Sequence, residues 1–291
     1  MLARLLDQEV DEAVILGATS GDTGSAAIEA CRGRENLMIV ILFPEGRVSD
    51  FQRRQMTTVR AQNVRAVAVR GTFDDCQRMV KQAFASYPHL LATNSINWGR
   101  IAIQAGFHIH AAARMGGPYD LIVPTGNFGN VYSAWLAKQM GAPIETITIA
   151  NNANHGLSDL VNTGAMPETG VTPTAAPAMD IQVPSNLERF SGDPKTEFKA
   201  SWSTDEQIAE TIAHVEMISG YRLDPHTATG WRAADETRGE RPQLVVATAH
   251  PAKFDDAIAP PDWYPPLDGL EEHYAVIDPD IAELEHRISA D

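Results

Sequence analysis

Short apolar runs alternate along this chain with segments in which apolar residues recur at helical spacing. The apolar runs, typical of buried strands, are residues 13–16, 37–43, 64–69, 121–123, 144–149 and 244–247. The segments with helical spacing are residues 25–33, 50–62, 73–86, 99–115, 131–140 and 205–219. This alternation predicts an α/β fold, with parallel sheets wrapped by helices.

The pattern also predicts two lobes, with a crossing near residues 88–96. We expect residues 1–92 to form the remainder of a smaller α/β lobe and residues 93–291 a larger, cofactor-binding α/β lobe with a C-terminal tail. Residues 163–193, rich in Pro, Ser, Thr and Gly, predict a long irregular excursion that is either a lid or disordered. The prolines and acids after Lys253 predict a tail that packs loosely on the surface.

Composition narrows the class of protein. The 291 residues are 44% hydrophobic and 21% charged, which indicates a soluble globular protein with a full core. The net charge of −15 would repel a polyanion, and no basic stripe interleaved with aromatics occurs, so we expect no nucleic-acid partner. No apolar run approaches membrane-spanning length, and residues 1–4 lack the order of a signal peptide. We therefore expect a cytoplasmic protein without membrane contact.

The cysteines and histidines do not indicate a metal site. Cys31 and Cys76 stand far apart and form no C-x-x-C pair, so we expect both to be buried small residues. His108 and His110 fall on a predicted helix, where a spacing of two places them on different faces. We expect no metal.

The main candidate binding site is a glycine loop formed by Gly126, Asn127, Phe128, Gly129 and Asn130. The loop follows an apolar strand and opens a helix. Its glycines let backbone approach an anion, its asparagines add amide donors, and the helix directs further N–H groups and its positive dipole end to the same place. The loop therefore suits a phosphate group, although such a sequence is also typical of an ordinary strand-to-helix turn.

A second loop of this kind, residues 18–24, follows the first apolar run and starts a helix. Ser20 and Thr23 can donate hydrogen bonds from side chain and backbone, which suits a carboxylate or phosphate. Ser, Asp and Thr are also ordinary helix N-caps. Two such loops in one chain favour a small ligand with two anionic ends.

Two more motifs complete the pattern: Asn-Ser-Ile-Asn-Trp-Gly-Arg at residues 94–100 and Ala-Thr-Ala-His-Pro-Ala-Lys-Phe at residues 247–254. With the two loops, and in this order from about residue 13 to residue 254, they resemble threonine synthase. That family consists of pyridoxal-phosphate enzymes with the tryptophan-synthase β-type fold. The resemblance implies pyridoxal phosphate as cofactor and conversion of O-phosphohomoserine and water to threonine and phosphate.

The resemblance also implies roles for single residues. The glycine loop holds the cofactor phosphate, and Thr248 places a hydroxyl at the pyridine nitrogen. In the second loop, Ser20, Gly21 and Thr23 take the substrate carboxylate and Asp22 approaches the cofactor ring. The group implied to bind the substrate phosphate is Asn94, Ser95, Asn97 and Arg100. From the residues alone, Asn-Ser is a frequent turn pair and Arg100 equally suits a structural place on its helix.

The chain departs from the family at the Schiff-base lysine. The resemblance places that lysine in a Phe-Lys-Asp context before the second loop, where this sequence has no lysine. The five lysines present are Lys81, Lys138, Lys195, Lys199 and Lys253. We expect none of the first four to lie in the apolar pocket that such an amine needs, and Lys253 corresponds to a separate family position. The sequence thus predicts an N-terminally truncated threonine synthase that binds ligands but is inactive alone, with no assignable catalytic residue.

Two other functions stay open. A related pyridoxal-phosphate phospho-lyase would release phosphate without adding water, and the substrate-loop residues do not distinguish it. A non-catalytic ligand-binding remnant agrees with the lysine departure, whereas retention of every ligand loop speaks against it.

Overall fold

The computed structural model describes residues 2–19, 21–87, 89–92, 97–167, 170–255, 258–261, 264 and 266–289. The chain divides into two compact units. Unit 1 comprises Met1–Asn97 and Ala259–Asp291, and unit 2 comprises Trp98–Ile258.

Strands and helices alternate through most of the chain. The strands are β1 (Ala13–Ala18), β2 (Leu37–Pro44), β3 (Val64–Val69), β4 (Leu91–Ala92), β5 (Tyr119–Pro124), β6 (Ile144–Asn151), β7 (Phe198–Trp202), β8 (Gln243–Val245) and β9 (Ala275–Ile277). The helices are α1 (Leu2–Glu9), α2 (Asp22–Cys31), α3 (Asp50–Thr57), α4 (Phe73–Ser86), α5 (Trp98–Met115), α6 (Gly129–Gln139), α7 (Gly156–Thr163), α8 (Pro194–Glu197), α9 (Asp205–Ser219), α10 (Pro225–Glu236) and α11 (Ile281–Ser289).

Unit 1 is built on a parallel sheet with strand order β4-β1-β2-β3-β9. Side chains of β2 alternate between two apolar layers, because successive residues of a strand point to opposite faces. Ile39 packs in the layer that contains Cys31 of α2, and Val40 in the layer that contains Cys76 of α4. Burial raises the pKa of Cys31 to about 11 and that of Cys76 to about 12. The expectation that both cysteines are buried is confirmed.

The C-terminal residues join unit 1, which differs from the division expected at residues 92 and 93. β9 pairs in parallel with β3, and Ile277 is only 2% exposed. Leu284 and Ile288 of α11 lie in the same apolar cluster as residues of α4. The expected loose tail is therefore wrong for these segments. Their apolar residues are few, but they extend the edge of the sheet and cover one of its faces.

Unit 2 is built on a parallel sheet with strand order β7-β6-β5-β8. Every residue of β5 is buried, because this central strand has neighbours on both sides and helices on both faces. The two sheets and their helices confirm the predicted α/β class. Among the described residues, no helix combines the length and apolar character needed to cross a membrane.

The expected excursion at residues 163–193 is irregular, but its described part packs against the rest of unit 2. It contains short 3-10 turns at Pro177–Met179 and Leu187–Arg189. The amide of Asn152, which is fully buried, donates to Asp180 Oδ1 at 2.7 Å and to the carbonyl of Ala176 at 3.1 Å. These bonds fasten the excursion to the end of β6.

Candidate functional site

The glycine loop lies between β5 and α6, and its backbone is held in an unusual conformation. Phe128 has φ 62°, a left-handed value that is strained for a residue with a side chain. Its ring is 1% exposed and packs edge-on against Phe198, with ring centroids 5.6 Å apart. The buried ring holds the strained turn in place, as is common where backbone must present groups to a ligand.

Gly126 is required by a neighbouring segment. A Cβ atom at this position would lie 2.7 Å from Cα of Met179 and 3.0 Å from the carbonyl oxygen of Ala178. No side chain fits there without moving that backbone. The glycine therefore lets the 3-10 turn at Pro177–Met179 form a wall directly beside the loop.

The two asparagines of the loop have different neighbours. The side-chain oxygen of Asn127 accepts hydrogen bonds from the N–H and the hydroxyl of Ser185, at 2.6 and 2.9 Å. The backbone carbonyl of Asn127 accepts from the amide of Asn186 at 3.1 Å. Asn127 thus ties the loop to the excursion.

Asn130 meets a buried histidine. Oδ1 of Asn130 lies 2.8 Å from Nε2 of His108, a residue of α5 that is 5% exposed. Burial lowers the pKa of His108, although the bond to Asn130 opposes this effect, so the imidazole is neutral at neutral pH. Because an amide oxygen only accepts, Nε2 carries the proton and the Asn130 NH₂ group is turned away from His108. His108 orients a donor of the loop, a role that its sequence spacing did not reveal.

Thr248 lies just beyond the carboxyl end of β8. Because β8 and β5 are parallel neighbours, their carboxyl ends reach the same edge of the sheet, so Thr248 and the glycine loop share that edge. The backbone N–H of Thr248 donates to Oγ1 of Thr227 at 3.2 Å. A glycine loop at a helix N-terminus and a hydroxyl on adjacent strand ends fit the phosphate and the ring nitrogen of pyridoxal phosphate.

In unit 1, the loop before α2 is stabilised by a residue that sequence reasoning missed. Oγ1 of Thr19 accepts hydrogen bonds from the N–H groups of Gly21 and Gly24, both at 2.9 Å. Thr19 therefore supplies the cap of α2. Thr23 lies in the first turn of that helix, and Ser20 lies outside the described residues.

Asp22 and Gly21 both meet Gln52 of α3. Nε2 of Gln52 donates to Oδ1 of Asp22 at 3.0 Å. Gly21 has φ 141°, and a Cβ atom there would lie 2.4 Å from the side chain of Gln52. Gln52 thus fills the space that the glycine leaves and fixes the carboxylate of Asp22.

The expected substrate-phosphate residues are only partly described. Asn94 and Ser95 lie outside the described residues. The amide of Asn97, the last residue of the N-terminal segment of unit 1, donates to the carbonyl of Ala92 at 3.1 Å. Arg100 lies in the first turn of α5 in unit 2, and burial lowers its pKa. The guanidinium nevertheless stays charged at neutral pH.

The lysines lie at exposed or partly exposed positions. Lys81, Lys195 and Lys199 are exposed. Lys138 donates to the carbonyl of Glu145 at 2.7 Å, and Lys253 is partly buried at the end of a short 3-10 turn. No lysine of the sequence is fully buried, and all five belong to the described residues.

Family models and known relatives match most of this chain. The family model described as pyridoxal-phosphate dependent enzyme matches residues 1–250, and that described as threonine synthase, C-terminal, matches residues 227–288. Threonine synthase of Pseudomonas aeruginosa is 42% identical over 89% of this chain and 65% of its own length. The chain thus spans about two thirds of that relative. Threonine synthase of Methylobacillus glycogenes is 33% identical over 98% of this chain and 71% of its own length.

Solved structures give the same result. The crystal structure of pyridoxal-phosphate-bound threonine synthase from Brucella melitensis superposes with a TM-score of 0.92 and 40% identity, over 99% of this chain and 73% of that one. Threonine synthase from Escherichia coli gives a TM-score of 0.87 and 30% identity, over 99% and 73% of the two chains.

Proposed function

We propose, from the premise that this chain belongs to the threonine synthase family of pyridoxal-phosphate-dependent enzymes, that it carries the cofactor and substrate sites for converting O-phosphohomoserine and water to threonine and phosphate. None of its five lysines supplies the Schiff base that this reaction needs, so the polypeptide alone forms no threonine. The observation that carries the proposal is the placement of the glycine loop and Thr248 at one edge of the unit 2 sheet. In an enzyme of this family, that edge suits a ligand with a phosphate at one end and a ring nitrogen at the other. The net charge of −15 and two free, buried cysteines fit a cytoplasmic location.

Unit 2 holds the cofactor in this proposal. The glycine loop and the first N–H groups of α6 bind its phosphate. Asn130 donates through the amide that His108 orients, and the Thr248 hydroxyl donates to the pyridine nitrogen. When bound, pyridoxal phosphate supplies an electron sink for negative charge that develops on substrate carbon.

Substrate groups are bound by other residues. We assign the substrate carboxylate to Ser20, Gly21 and Thr23, and a cofactor-binding role to Asp22. We assign the substrate phosphate to Asn94, Ser95, Asn97 and Arg100. The planar guanidinium of Arg100 can donate two parallel hydrogen bonds to phosphate oxygens, which stabilise the charge as phosphate departs.

Arg100 provides the test. The Arg100→Ala variant, saturated with pyridoxal phosphate, should bind O-phosphohomoserine more weakly by about 2–4 kcal/mol in a calorimetric titration, because a partly buried charged partner is lost. Affinity for pyridoxal phosphate should stay unchanged. Arg114→Ala, in the exposed last turn of the same helix, is the control and should leave both affinities unchanged. An unaltered affinity of Arg100→Ala for O-phosphohomoserine would disprove the assignment.

The products separate threonine synthase from a phospho-lyase. Wherever turnover occurs, threonine and phosphate in equal amounts support the proposed reaction. Phosphate together with ammonia and a keto acid would instead indicate elimination without addition of water. Failure to bind O-phosphohomoserine while pyridoxal phosphate still binds would support the non-catalytic alternative.

A further inference from the structure

A buried polar cluster lies at the start of α10, next to Thr248. Its members, Asp224, His226 and Thr227, are 1%, 3% and 4% exposed. Asp224 caps the helix by accepting hydrogen bonds from the N–H groups of His226 and Thr227, at 2.9 and 3.3 Å. It also accepts from Nδ1 of His226 at 3.0 Å and, at close range, from the hydroxyl of Thr227. A cap alone requires only the backbone bonds, so the two side-chain bonds call for another explanation.

These four hydrogen-bond donors stabilise the ionised form of the Asp224 carboxyl group. Burial opposes the ionised form, but the hydrogen bonds from His226 and Thr227 outweigh burial and lower the pKa of Asp224. The carboxylate is therefore ionised at neutral pH. It fixes the direction of both side chains that donate to it.

Thr227, oriented by Asp224, in turn fixes the backbone of Thr248. Because its hydroxyl hydrogen is directed to Asp224, the oxygen of Thr227 is left to accept, and it accepts the N–H of Thr248 at 3.2 Å. The N–H of Val246 donates to the carbonyl of Ile122 and so holds the residue after β8 to β5. Thr227 anchors Thr248, two residues further along the chain.

His226, also oriented by Asp224, fixes the backbone of Ala178. Its Nε2 accepts the N–H of Ala178 at 3.2 Å, so the imidazole is the neutral tautomer with its proton on Nδ1. Ala178 and Met179 form the wall beside Gly126. One buried carboxylate therefore holds groups next to both the glycine loop and Thr248.

We propose that Thr227 is a positioning residue that holds Thr248 in place for recognition of the pyridine nitrogen of the cofactor. The inference rests on the proposed role of Thr248. The hydrogen bond between Thr248 and the ring nitrogen then depends on the hydroxyl of Thr227. Thr227 itself touches neither cofactor nor substrate in this proposal.

Two probes test it without any covalent link to a lysine. Deoxypyridoxine phosphate keeps the ring nitrogen and the phosphate of the cofactor but lacks its aldehyde. The matching benzene phosphate has a carbon in place of the ring nitrogen. Calorimetry should show that Thr227→Val binds deoxypyridoxine phosphate about tenfold more weakly, the loss of about one hydrogen bond, while its affinity for the benzene probe is unchanged.

Three further variants define the effect. Thr227→Ser keeps the hydroxyl and should restore the affinity. Thr248→Val should match Thr227→Val, and the double variant should show little additional loss. Thr229→Val is the structural control, because Thr229 is 1% exposed in the same helix and its hydroxyl donates to the carbonyl of His226. It should leave the ratio of the two affinities unchanged.

The proposal would be overturned if Thr227→Val lowered the affinity for both probes equally. It would also be overturned if the variant and the parent chain bound deoxypyridoxine phosphate with the same affinity. Either result would make the cluster purely a helix cap. If the parent chain binds neither probe, the cofactor site itself is wrong. If Thr248→Val binds both probes with the affinity of the parent chain, the phosphate site is intact but the proposed role of Thr248 is wrong. The role proposed for Thr227 is then wrong as well.

Discussion

Glu272 forms a two-pronged ion pair with Arg53, with Nε to Oε2 at 2.9 Å and Nη2 to Oε1 at 3.1 Å. The same carboxylate accepts from the hydroxyl of Thr57 at 2.6 Å and from Nη1 of Arg54 at 3.2 Å. The hydrogen bonds from Arg53 outweigh partial burial and lower the pKa of Glu272 to about 2. The segment before β9 is therefore fastened to α3 by charge.

Replacing Glu272 with Gln should destabilise the protein by about 1–3 kcal/mol at neutral pH, because the pKa difference between the folded and unfolded states is lost. A carboxyl group whose folded pKa is depressed contributes its full stabilisation above its ordinary pKa of 4.5 and loses it as the pH falls toward about 2. The difference in free energy of unfolding between parent and variant should therefore shrink across that range. Urea unfolding at a series of pH values measures it.

Glu271→Gln is the matched control. The side chain of Glu271 is 71% exposed, and its partner Arg60 is 66% exposed, so this pair should contribute under about 1 kcal/mol. A Glu272→Gln variant that behaves like Glu271→Gln at every pH would show that the tail is held by apolar packing alone.

This tail also shows where sequence patterns stop being informative about the fold. The longest apolar runs became β2, β3 and β6, because inner strands of these sheets are covered by helices and need apolar side chains. The edge strands β7 and β9 were not predicted. β9 has three residues among acids, and β7 contains Lys199 and Ser201, since an edge strand needs little apolar surface.

Some residues of the candidate site could be recognised from the sequence, and others only from the structure. The glycine loop was visible because its residues are contiguous and lie at a strand-to-helix junction. Gln52 and His108 were not, because they contact the loops from positions that only the folded chain defines. Thr19 lies in the second loop, but its hydrogen bonds to Gly21 and Gly24 depend on the folded shape of that turn. α10 was not predicted, although Asp224 followed by Pro is a sequence typical of a helix N-cap and first helical position.

His108 provides a second prediction. In His108→Phe the side-chain oxygen of Asn130 loses its hydrogen-bond donor. The Asn130 amide can then rotate, and its NH₂ group is no longer fixed as a donor to the cofactor phosphate. Affinity for deoxypyridoxine phosphate and for the benzene probe should both fall, by about tenfold, since the phosphate end is affected. His110→Phe, at an exposed position of the same helix, should leave both affinities unchanged. A selective loss for only one probe in His108→Phe would contradict the role given to Asn130.

A third prediction concerns Gln52. Its oxygen accepts from Ser49 in the capping box of α3, while its nitrogen donates to Asp22. Gln52→Glu keeps the acceptor but sets a second carboxylate against Asp22 at a position that is 7% exposed. Stability measured by urea unfolding at neutral pH should fall by about 2 kcal/mol or more, and recover in part at low pH.

Gln207→Glu makes the same change in the capping box of α9, where Gln207 bonds to Thr204. Its effect should stay within about 0.5 kcal/mol. Equal losses in the Gln52 and Gln207 variants would assign the effect to capping and not to the contact with Asp22.

The last prediction is that no lysine of this 291-residue polypeptide forms a stoichiometric Schiff base with pyridoxal phosphate, and that the polypeptide forms no threonine. A Schiff-base lysine is ordinarily activated in a desolvated pocket, whereas every lysine here is exposed or partly exposed. Borohydride reduction followed by mass spectrometry should detect only scattered, partial adducts that excess inorganic phosphate does not suppress. Lys253 is the decisive position, since it lies closest along the chain to Thr248. A complete, phosphate-sensitive adduct at Lys253 that Lys253→Met removes, together with threonine formation, would make Lys253 the catalytic group.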